Sequence, residues 1–218
     1  TRKSTVKRRW YADGKKLLQV NSVDNHALGL ELQDRIIKIL QKEIRKSDVV
    51  VVMDPQHGML TKPIIECILA LCVKYKKPFY VDAQISHRPS NHNLYAGADT
   101  MFLNLKEAKA VYKQFNIKTG KKSLKVILKM LKLKNVVVKL GDKGFMAIFG
   151  NRYIYRPSFK VRAVDVCGAG DAFLAAFSLG DHEKPEESLG LANIWAALST
   201  TTHGTVPPKL SALKEIAR

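Results

Sequence analysis

Apolar positions along the chain follow two spacings, one typical of strands and one typical of helices. Short continuous apolar runs predict buried strands at residues 49–53, 78–82, 99–103 and 136–140, the first of them buried on both faces. Apolar residues at helical spacing predict helices over residues 27–46, 61–75, 122–133, 172–177, 186–202 and 209–217. Strands that alternate with helices predict an α/β fold with a mostly parallel sheet.

A β-hairpin is predicted before this alternation begins. Residues 6–11 form one arm, residues 16–20 form the other, and Asp13-Gly14 between them is a strong turn signal. The first arm is highly basic. Two interpretations of that charge stay open, namely an exposed hairpin with solvated side chains or a flap that approaches a phosphate group.

Composition and charge narrow the class of protein. A chain of 218 residues with 46% hydrophobic residues fits one domain with a substantial core. The 37 Lys and Arg residues exceed the 19 Asp and Glu residues by 18, which favours phosphorylated small molecules or polyanions as partners. No helix-turn-helix, zinc-finger or aromatic RNA-binding signature accompanies the charge, so we do not expect nucleic acid as the main partner.

The cysteines and the hydropathy pattern bear on the compartment. Cys67, Cys72 and Cys167 form no C-x-x-C pair and no metal-binding spacing, which fits a reducing cytoplasm. No apolar run is long enough to span a bilayer, and residues 1–9 lack the apolar segment of a secretory signal. The chain also lacks an initiator Met, so upstream sequence is expected.

One stretch places a glycine turn and an acid at a helix start. Gly168-Ala169-Gly170 precedes Asp171, and an apolar helical pattern follows. The first N–H groups of a helix have no intrahelical acceptor, so this turn predicts an anion site, and Asp171 beside it could accept a hydroxyl proton. Such a site suits phosphoryl transfer. The alternative is a plain glycine-rich helix start with Asp171 as a favourable first-turn acid.

The glycine turn and three further segments, in the same order, resemble the ribokinase-like (PfkB) sugar kinases. The segment from Asp165 to Asp171 matches the D-T-x-G-A-G-D pattern of that family except at Val166. The other matches are Asn104-x-x-Glu107, the strand-turn from Leu140 to Gly144, and Ala192-Asn193. The resemblance implies a three-layer α/β fold, with a mostly parallel sheet flanked by helices and a small β-hairpin lid. It divides the chain into the lid at 1–22 and a nucleotide-binding and catalytic core at 23–218.

The resemblance also implies a role for individual residues in an ATP- and Mg²⁺-dependent sugar kinase. It makes Asp171 the catalytic base. It implies an anion hole at Gly168, Ala169 and Gly170, nucleotide binding at Lys139, Gly141, Gly144 and Asn193, substrate binding at Lys7, Arg9 and Asp54, a magnesium site at Asn104 and Glu107, and a monovalent cation near Asp165. Lys139 stands where the family usually has Thr, and it could reach a phosphate as a point charge.

Within the family, the sequence looks most like the branch that phosphorylates heptose 7-phosphate on the way to ADP-heptose. Val166, the Thr5-x-Lys7-x-Arg9 segment, and the segment from Asp54 to Thr61 carry this likeness. The nucleotidylyltransferase motif H-x-G-H is absent from the sequence, so no nucleotidyl transfer is expected of this chain.

Two further expectations concern completeness and partners. The family's first strands, which carry a paired-glycine motif and most sugar-binding carboxylates, have no counterpart in this sequence, so an N-terminally truncated fold is expected. A non-catalytic nucleotide-binding remnant that acts as a scaffold is therefore the alternative to the enzyme. The partly apolar hairpin, with Trp10, Tyr11, Leu17 and Leu18, is expected to pair with a second copy in a homodimer.

Overall fold

The computed structural model describes residues 3–13, 15–85, 90–181 and 183–216. It begins with a two-stranded antiparallel sheet formed by β1 (Val6–Ala12) and β2 (Lys15–Ser22). The predicted hairpin is therefore present, while Gly14 of its expected turn lies outside the described residues. Every residue of β1 is exposed, so this hairpin has no core of its own. A lone two-stranded hairpin is marginally stable in water, and contacts with the rest of the chain must support it.

A second sheet and a set of helices form the rest of the described chain. Its strands are β3 (Val50–Asp54), β4 (Phe79–Ala83), β5 (Thr100–Asn104), β6 (Asn135–Lys139), β7 (Phe145–Phe149) and β8 (Arg152–Arg156). The helices are α1 (Leu30–Glu43), α2 (Lys62–Tyr75), α3 (Leu105–Val111), α4 (Gly120–Leu131), α5 (Ala169–Ser178), α6 (Pro185–Ser199) and α7 (Leu210–Ile216). Short 3₁₀ turns cover His92–Tyr95 and Gly141–Lys143.

The strands of the larger sheet lie side by side in their sequence order, from β3 to β8. The pairings from β3 to β6 are parallel, and β7 and β8 are added as antiparallel strands. Parallel neighbours need a crossover, and α2, α3 and α4 lie in the crossovers between these strands. The predicted α/β fold with a mostly parallel sheet is confirmed.

Successive residues of the central strands point to opposite faces of the sheet and enter two separate cores. On β5, Met101 and Leu103 join the core formed with α2 and α4, whereas Phe102 joins the core formed with α5 and α6. The Phe102 ring lies 6.1 Å from the ring of Phe173 and 5.2 Å from that of Phe177. Helices therefore cover both faces of the sheet, which gives three layers and fixes the start of α5 against the strand ends.

Strand β3 differs from the expectation of burial on both faces. Val52 is 6% exposed, but Val51 is 38% and Met53 is 43% exposed. The reason is its place in the sheet, because β3 is the first strand in the order and the described residues leave one of its faces uncovered. Its β-branched composition, which predicted double burial, does not reveal whether a strand is central or at an edge.

None of the helices in the described part of the chain has both the length and the apolar character that a membrane span requires.

Candidate functional site

A cavity of about 990 Å³ opens where β4, β5 and β6 end and where α5 begins. Ligand sites of open α/β sheets lie at the carboxyl ends of the strands, so this position is the expected one. The sequence predicts a set of residues that contact nucleotide, substrate, magnesium or the transferred phosphoryl group. All of these residues except Asp54 line the cavity. They are Lys7, Arg9, Asn104, Glu107, Lys139, Gly141, Gly144, Gly168, Ala169, Gly170, Asp171 and Asn193.

The glycine turn forms the start of α5. Gly168 is the N-cap residue with φ +85°, and a Cβ there would lie 2.8 Å from Cγ2 of Thr205, so this position requires glycine. The Ala172 N–H donates to the Gly168 carbonyl at 2.8 Å and opens the helical ladder. The N–H groups of Gly170 and Asp171 precede that bond, where a helix offers no acceptor of its own.

The sequence predicts that the N–H of Ala169 also binds the anion, but in the structure this N–H already has an acceptor. It donates to the carbonyl of Val166 at 3.3 Å. At that length the bond is weak, and an anion would have to replace it to use this donor. The structure therefore favours Gly170 and Asp171 as the backbone donors of the turn.

Asp171 lies in the first turn of α5 and faces the cavity. Desolvation raises the pKa of its carboxyl, and the nearby Asp82 carboxylate raises it further. The positive charges of Lys139 and of Lys7 from the hairpin partly oppose both effects. A carboxylate with a raised pKa binds a proton more readily, which suits a general base.

Asp82, at the end of β4, is the main site residue that the sequence did not predict. It is 6% exposed, lines the cavity and forms an ion pair with Lys139 of β6. The sequence signal that could have identified Asp82 is an acidic residue near the end of a buried strand. Its partner could not be identified, because the two residues are 57 positions apart and β5 lies between their strands. Lys106 and Lys160 also line the cavity without having been predicted.

Asn104 and Glu107 form a capping box at the start of α3. The Glu107 N–H donates to Oδ1 of Asn104 at 2.9 Å. In return, Oε2 of Glu107 accepts from the Asn104 backbone N–H at 2.7 Å, and Oε1 accepts from Nδ2 of Asn104 at 2.6 Å. The N-x-x-E motif thus has a structural role, in which both carboxylate oxygens of Glu107 are already engaged.

This geometry limits how Asn104 and Glu107 could take part in the predicted magnesium site. Among the described residues, no cluster of three or more His, Cys, Asp or Glu side chains could hold a metal ion. Because the oxygens of Glu107 accept hydrogen bonds from Asn104, the pair does not fit a direct coordination shell. A magnesium ion near Asn104 and Glu107 stays a prediction, and this geometry leaves it contact through water only.

Burial shifts the pKa of the Glu107 carboxyl. Its pKa is raised to about 7, chiefly by desolvation and further by the Asp82 carboxylate, although hydrogen bonds from Asn104 and the charge of Lys139 act against the shift. The folded protein therefore holds a proton on Glu107 that the unfolded chain releases near pH 4.5. That difference stabilises the fold below about pH 4.5 and is lost as the pH rises through about 7.

We expect Glu107→Gln to remove this pH dependence. The free energy of unfolding, measured in urea at pH 5 and pH 8, should fall by about 2 kcal/mol more in the unsubstituted protein than in the variant. The loss of a hydrogen bond in the variant is independent of pH and cancels in the comparison. Glu66→Gln, at an exposed position of α2, is the control and should change both values equally. Equal pH dependence in the Glu107 variant and the unsubstituted protein would contradict the assignment.

Gly141, Gly144 and Asn193, which were predicted to bind nucleotide, lie on other segments that line the cavity. Gly141 and Gly144 bound the 3₁₀ turn after β6, and the Gly144 N–H donates to the Gly141 carbonyl at 3.0 Å. Asn193 of α6 donates from Nδ2 to the carbonyl of Pro157 at 2.8 Å, which ties α6 to the segment that follows β8. The turn, the helix and that segment all contribute lining residues to the cavity.

The hairpin covers part of the cavity with its basic first arm. Lys7 and Arg9 both line the cavity, and Nε of Arg9 donates to Oε1 of Gln19 at 2.9 Å. The hydroxyl oxygen of Tyr11, on the same arm, lies 3.5 Å from Oδ2 of Asp165. Of the two interpretations of the basic arm, the placement favours the flap.

Asp165 connects the glycine turn with two other segments. Its Oδ1 accepts from the Cys167 N–H at 3.0 Å, and its Oδ2 accepts from the Gly204 N–H at 3.1 Å. These bonds lower the pKa of its carboxyl, so the group stays ionised. The monovalent cation expected near Asp165 stays a prediction.

The assignment of Asp54 to substrate contact is not supported, because Asp54 lies outside the cavity lining. It is 3% exposed and accepts hydrogen bonds from the Gln56 N–H, from Nδ2 of Asn91 and from the hydroxyl of Tyr95, at 2.7–2.8 Å. These bonds satisfy a buried carboxylate and hold the loop after β3 in place. An acid at the end of a strand can either hold the following loop through hydrogen bonds or bind a ligand. The sequence alone does not distinguish these two roles.

Comparisons with known proteins show which family the chain matches. The family described as pfkB family carbohydrate kinase matches residues 12–212. The bifunctional protein HldE of Sulfurimonas denitrificans is 28% identical over 98% of this chain, and the match covers 45% of that protein. The chain thus spans about half the length of the curated relatives it matches.

Solved structures show the same fold. The ribokinase of Giardia lamblia superposes with a TM-score of 0.78 at 18% identity, over 98% of this chain and 71% of that one. The ribokinase of Arabidopsis thaliana complexed with ribose and ATP gives a TM-score of 0.70 at 21% identity, over 93% of this chain and 65% of that one.

Proposed function

Because the chain belongs to the pfkB family of carbohydrate kinases, we propose that it transfers the terminal phosphoryl group of ATP to a hydroxyl of a sugar or sugar phosphate. The observation that carries this proposal is the position of Asp171 beside the glycine turn, on the wall of the large cavity. Anion-binding N–H groups and a carboxylate with a raised pKa are the two elements that phosphoryl transfer to an alcohol needs.

The reaction follows from these two elements. The oxygen of the sugar hydroxyl forms a bond to the terminal phosphorus, and the bond from that phosphorus to the bridging oxygen of ADP breaks. The hydroxyl proton passes to the carboxylate of Asp171. The N–H groups of Gly170 and Asp171 at the start of α5 stabilise the negative charge on the transferring phosphoryl group.

We propose positions along the cavity for the nucleotide and the metal ion. We assign the phosphates of ATP to the side formed by Lys139, Gly141 and Gly144, and the adenine to the side of Asn193. A bound Mg²⁺ would neutralise phosphate charge, with Asn104 and Glu107 near its water shell.

The acceptor is proposed to be a sugar phosphate. Lys7 and Arg9 bring two positive charges to the cavity from the hairpin, and Lys7 is close enough to act on the pKa of Asp171. A phosphate on the acceptor would meet these charges while its hydroxyl faces Asp171. The likeness of the sequence to the heptose branch makes heptose 7-phosphate our specific candidate for the acceptor.

An assay of ADP formation tests the proposal. The chain is incubated with ATP, Mg²⁺ and one of ribose, fructose 6-phosphate or heptose 7-phosphate, and ADP is measured against a reaction without acceptor. We expect acceptor-dependent ADP formation that is fastest with heptose 7-phosphate. ATP binding without consumption on any acceptor would instead favour the scaffold, and failure to bind ATP would refute both functions.

We make three further proposals, on the division of the chain, its oligomeric state and its compartment. The lid at 1–22 and the core at 23–218 are proposed as functional divisions of the chain. A homodimer through the hairpin is supported by the exposure of Trp10, Leu17 and Leu18, at 46%, 68% and 55%. A reducing cytoplasm is the compartment that the three free cysteines favour.

A further inference from the structure

The side chain of Lys139 is held at the base of the cavity by an acid from a strand that is not its neighbour. Lys139 ends β6 and Asp82 lies in β4, so their side chains meet across the end of β5. The two side chains are only 15% and 8% exposed. A buried ion pair is costly to desolvate, and its presence at a ligand site calls for a reason other than stability.

The ammonium group also lies against the glycine turn. A Cβ built on Gly170 would stand 3.1 Å from Nζ of Lys139 and 3.9 Å from its Cε, and apart from its own helix and chain neighbours it would meet no other described atom within 4 Å. Gly170 lies inside α5 and does not have a positive φ, so its backbone does not require glycine. The missing side chain at this position leaves room for Nζ of Lys139, directly beside the N–H groups of the turn.

We propose that Lys139 is part of the anion-binding turn, that Asp82 positions its ammonium group against Gly170, and that this charge makes the site prefer ATP to ADP. The inference rests on the proposed function and adds the residues that recognise the terminal phosphoryl group. Backbone N–H groups carry only partial charges, whereas an ammonium group that is paired with one carboxylate still has N–H donors left for charge-assisted hydrogen bonds to a phosphoryl group. ADP lacks the phosphoryl group that would lie in the turn, and it would gain little from this charge.

Asp82 is needed because Lys139 has other acids within reach. Glu107 and Asp171 line the same cavity as Lys139, and the charge of Lys139 lowers the pKa of both carboxyls. Without Asp82, we expect the ammonium group to turn towards these two carboxylates. It would then leave Gly170, and it would neutralise the base that receives the hydroxyl proton. Asp82 thus acts as a positioning residue through Lys139.

Binding of ATP and of ADP, measured separately by calorimetry with Mg²⁺ present, tests the role of Lys139. Lys139→Met should weaken ATP binding by about 10- to 100-fold, the worth of a charge-assisted hydrogen bond, with ADP binding little changed. Lys139→Arg should restore most of the preference for ATP. The control is Lys134→Met, since Lys134 pairs with Asp99 at the start of β5, away from the cavity lining. Equal losses for ATP and ADP in Lys139→Met would overturn the role.

A double-substitution cycle tests the role of Asp82. Asp82→Asn should lower the ratio of ATP to ADP affinity in the unsubstituted background and have no further effect on that ratio beside Lys139→Met. An unchanged or increased ratio in Asp82→Asn would overturn the positioning role. The double variant also leaves no unpaired buried charge, so it gives a folded reference if Lys139→Met alone fails to fold.

The two proposals fail in different ways. If the unsubstituted chain binds neither nucleotide, the proposed function is wrong and this inference falls with it. If the chain binds ATP in preference to ADP and Lys139→Met keeps that preference, only the inference on Lys139 and Asp82 is wrong.

Discussion

Asp171→Asn is expected to lower kcat by about 10²- to 10⁴-fold, the usual contribution of a general base, with little change in ATP affinity. Asparagine keeps the shape of the side chain and the first turn of α5, but it cannot accept the hydroxyl proton. The position of Asp171 at the start of the helix leaves the N–H groups of the turn unchanged by this substitution. Phosphate binding should therefore survive while the chemical step slows.

The measurement is ADP formation with the acceptor that gives the highest rate in the unsubstituted chain. Asp142→Asn is the matched control, because Asp142 lines the same cavity at the turn after β6 and its replacement changes the net charge equally. The pH profile adds a second readout, since desolvation and Asp82 raise the pKa of Asp171 and should place the acid limb above the usual range of aspartate. Turnover near the unsubstituted rate in Asp171→Asn would exclude it as the base.

The parts of this site that the sequence reveals are the local ones. A glycine turn before an apolar helix predicts an anion site within a few residues, and Gly168, Gly170 and Asp171 line one cavity in the structure. The capping box of Asn104 and Glu107 is equally local, because its hydrogen bonds join residues three positions apart. The strands and helices follow from the same short-range patterns, which is why the α/β alternation is readable.

The parts that the sequence hides depend on which strands are neighbours. The ion pair of Asp82 and Lys139 exists only because β4, β5 and β6 lie side by side with their carboxyl ends level. The exposure of Val51 and Met53 likewise depends on the place of β3 in the sheet. Asp54 is an acid at the end of a strand, as a ligand-binding residue would be. Its carboxylate instead accepts hydrogen bonds from Gln56 and Tyr95.

Gly144 gives the largest expected effect on stability. Its φ of +87° and ψ of −130° lie in a region that only glycine adopts readily. A Cβ at this position would lie 2.0 Å from the carbonyl oxygen of Arg156 and 2.5 Å from the carbonyl carbon of Pro157. Both are backbone atoms at the end of β8, and they cannot move without disturbing the pairing of β7 with β8.

We therefore expect Gly144→Ala to lower the free energy of unfolding by about 3–5 kcal/mol, from backbone strain and steric overlap together. Gly141→Ala is the matched control in the same turn, because φ is +65° there but no atom lies within 4 Å of an added Cβ, and it should cost only about 1 kcal/mol. Urea denaturation of both variants gives the comparison. Equal, small losses would mean that the end of β8 can yield, and that folding does not require glycine at position 144.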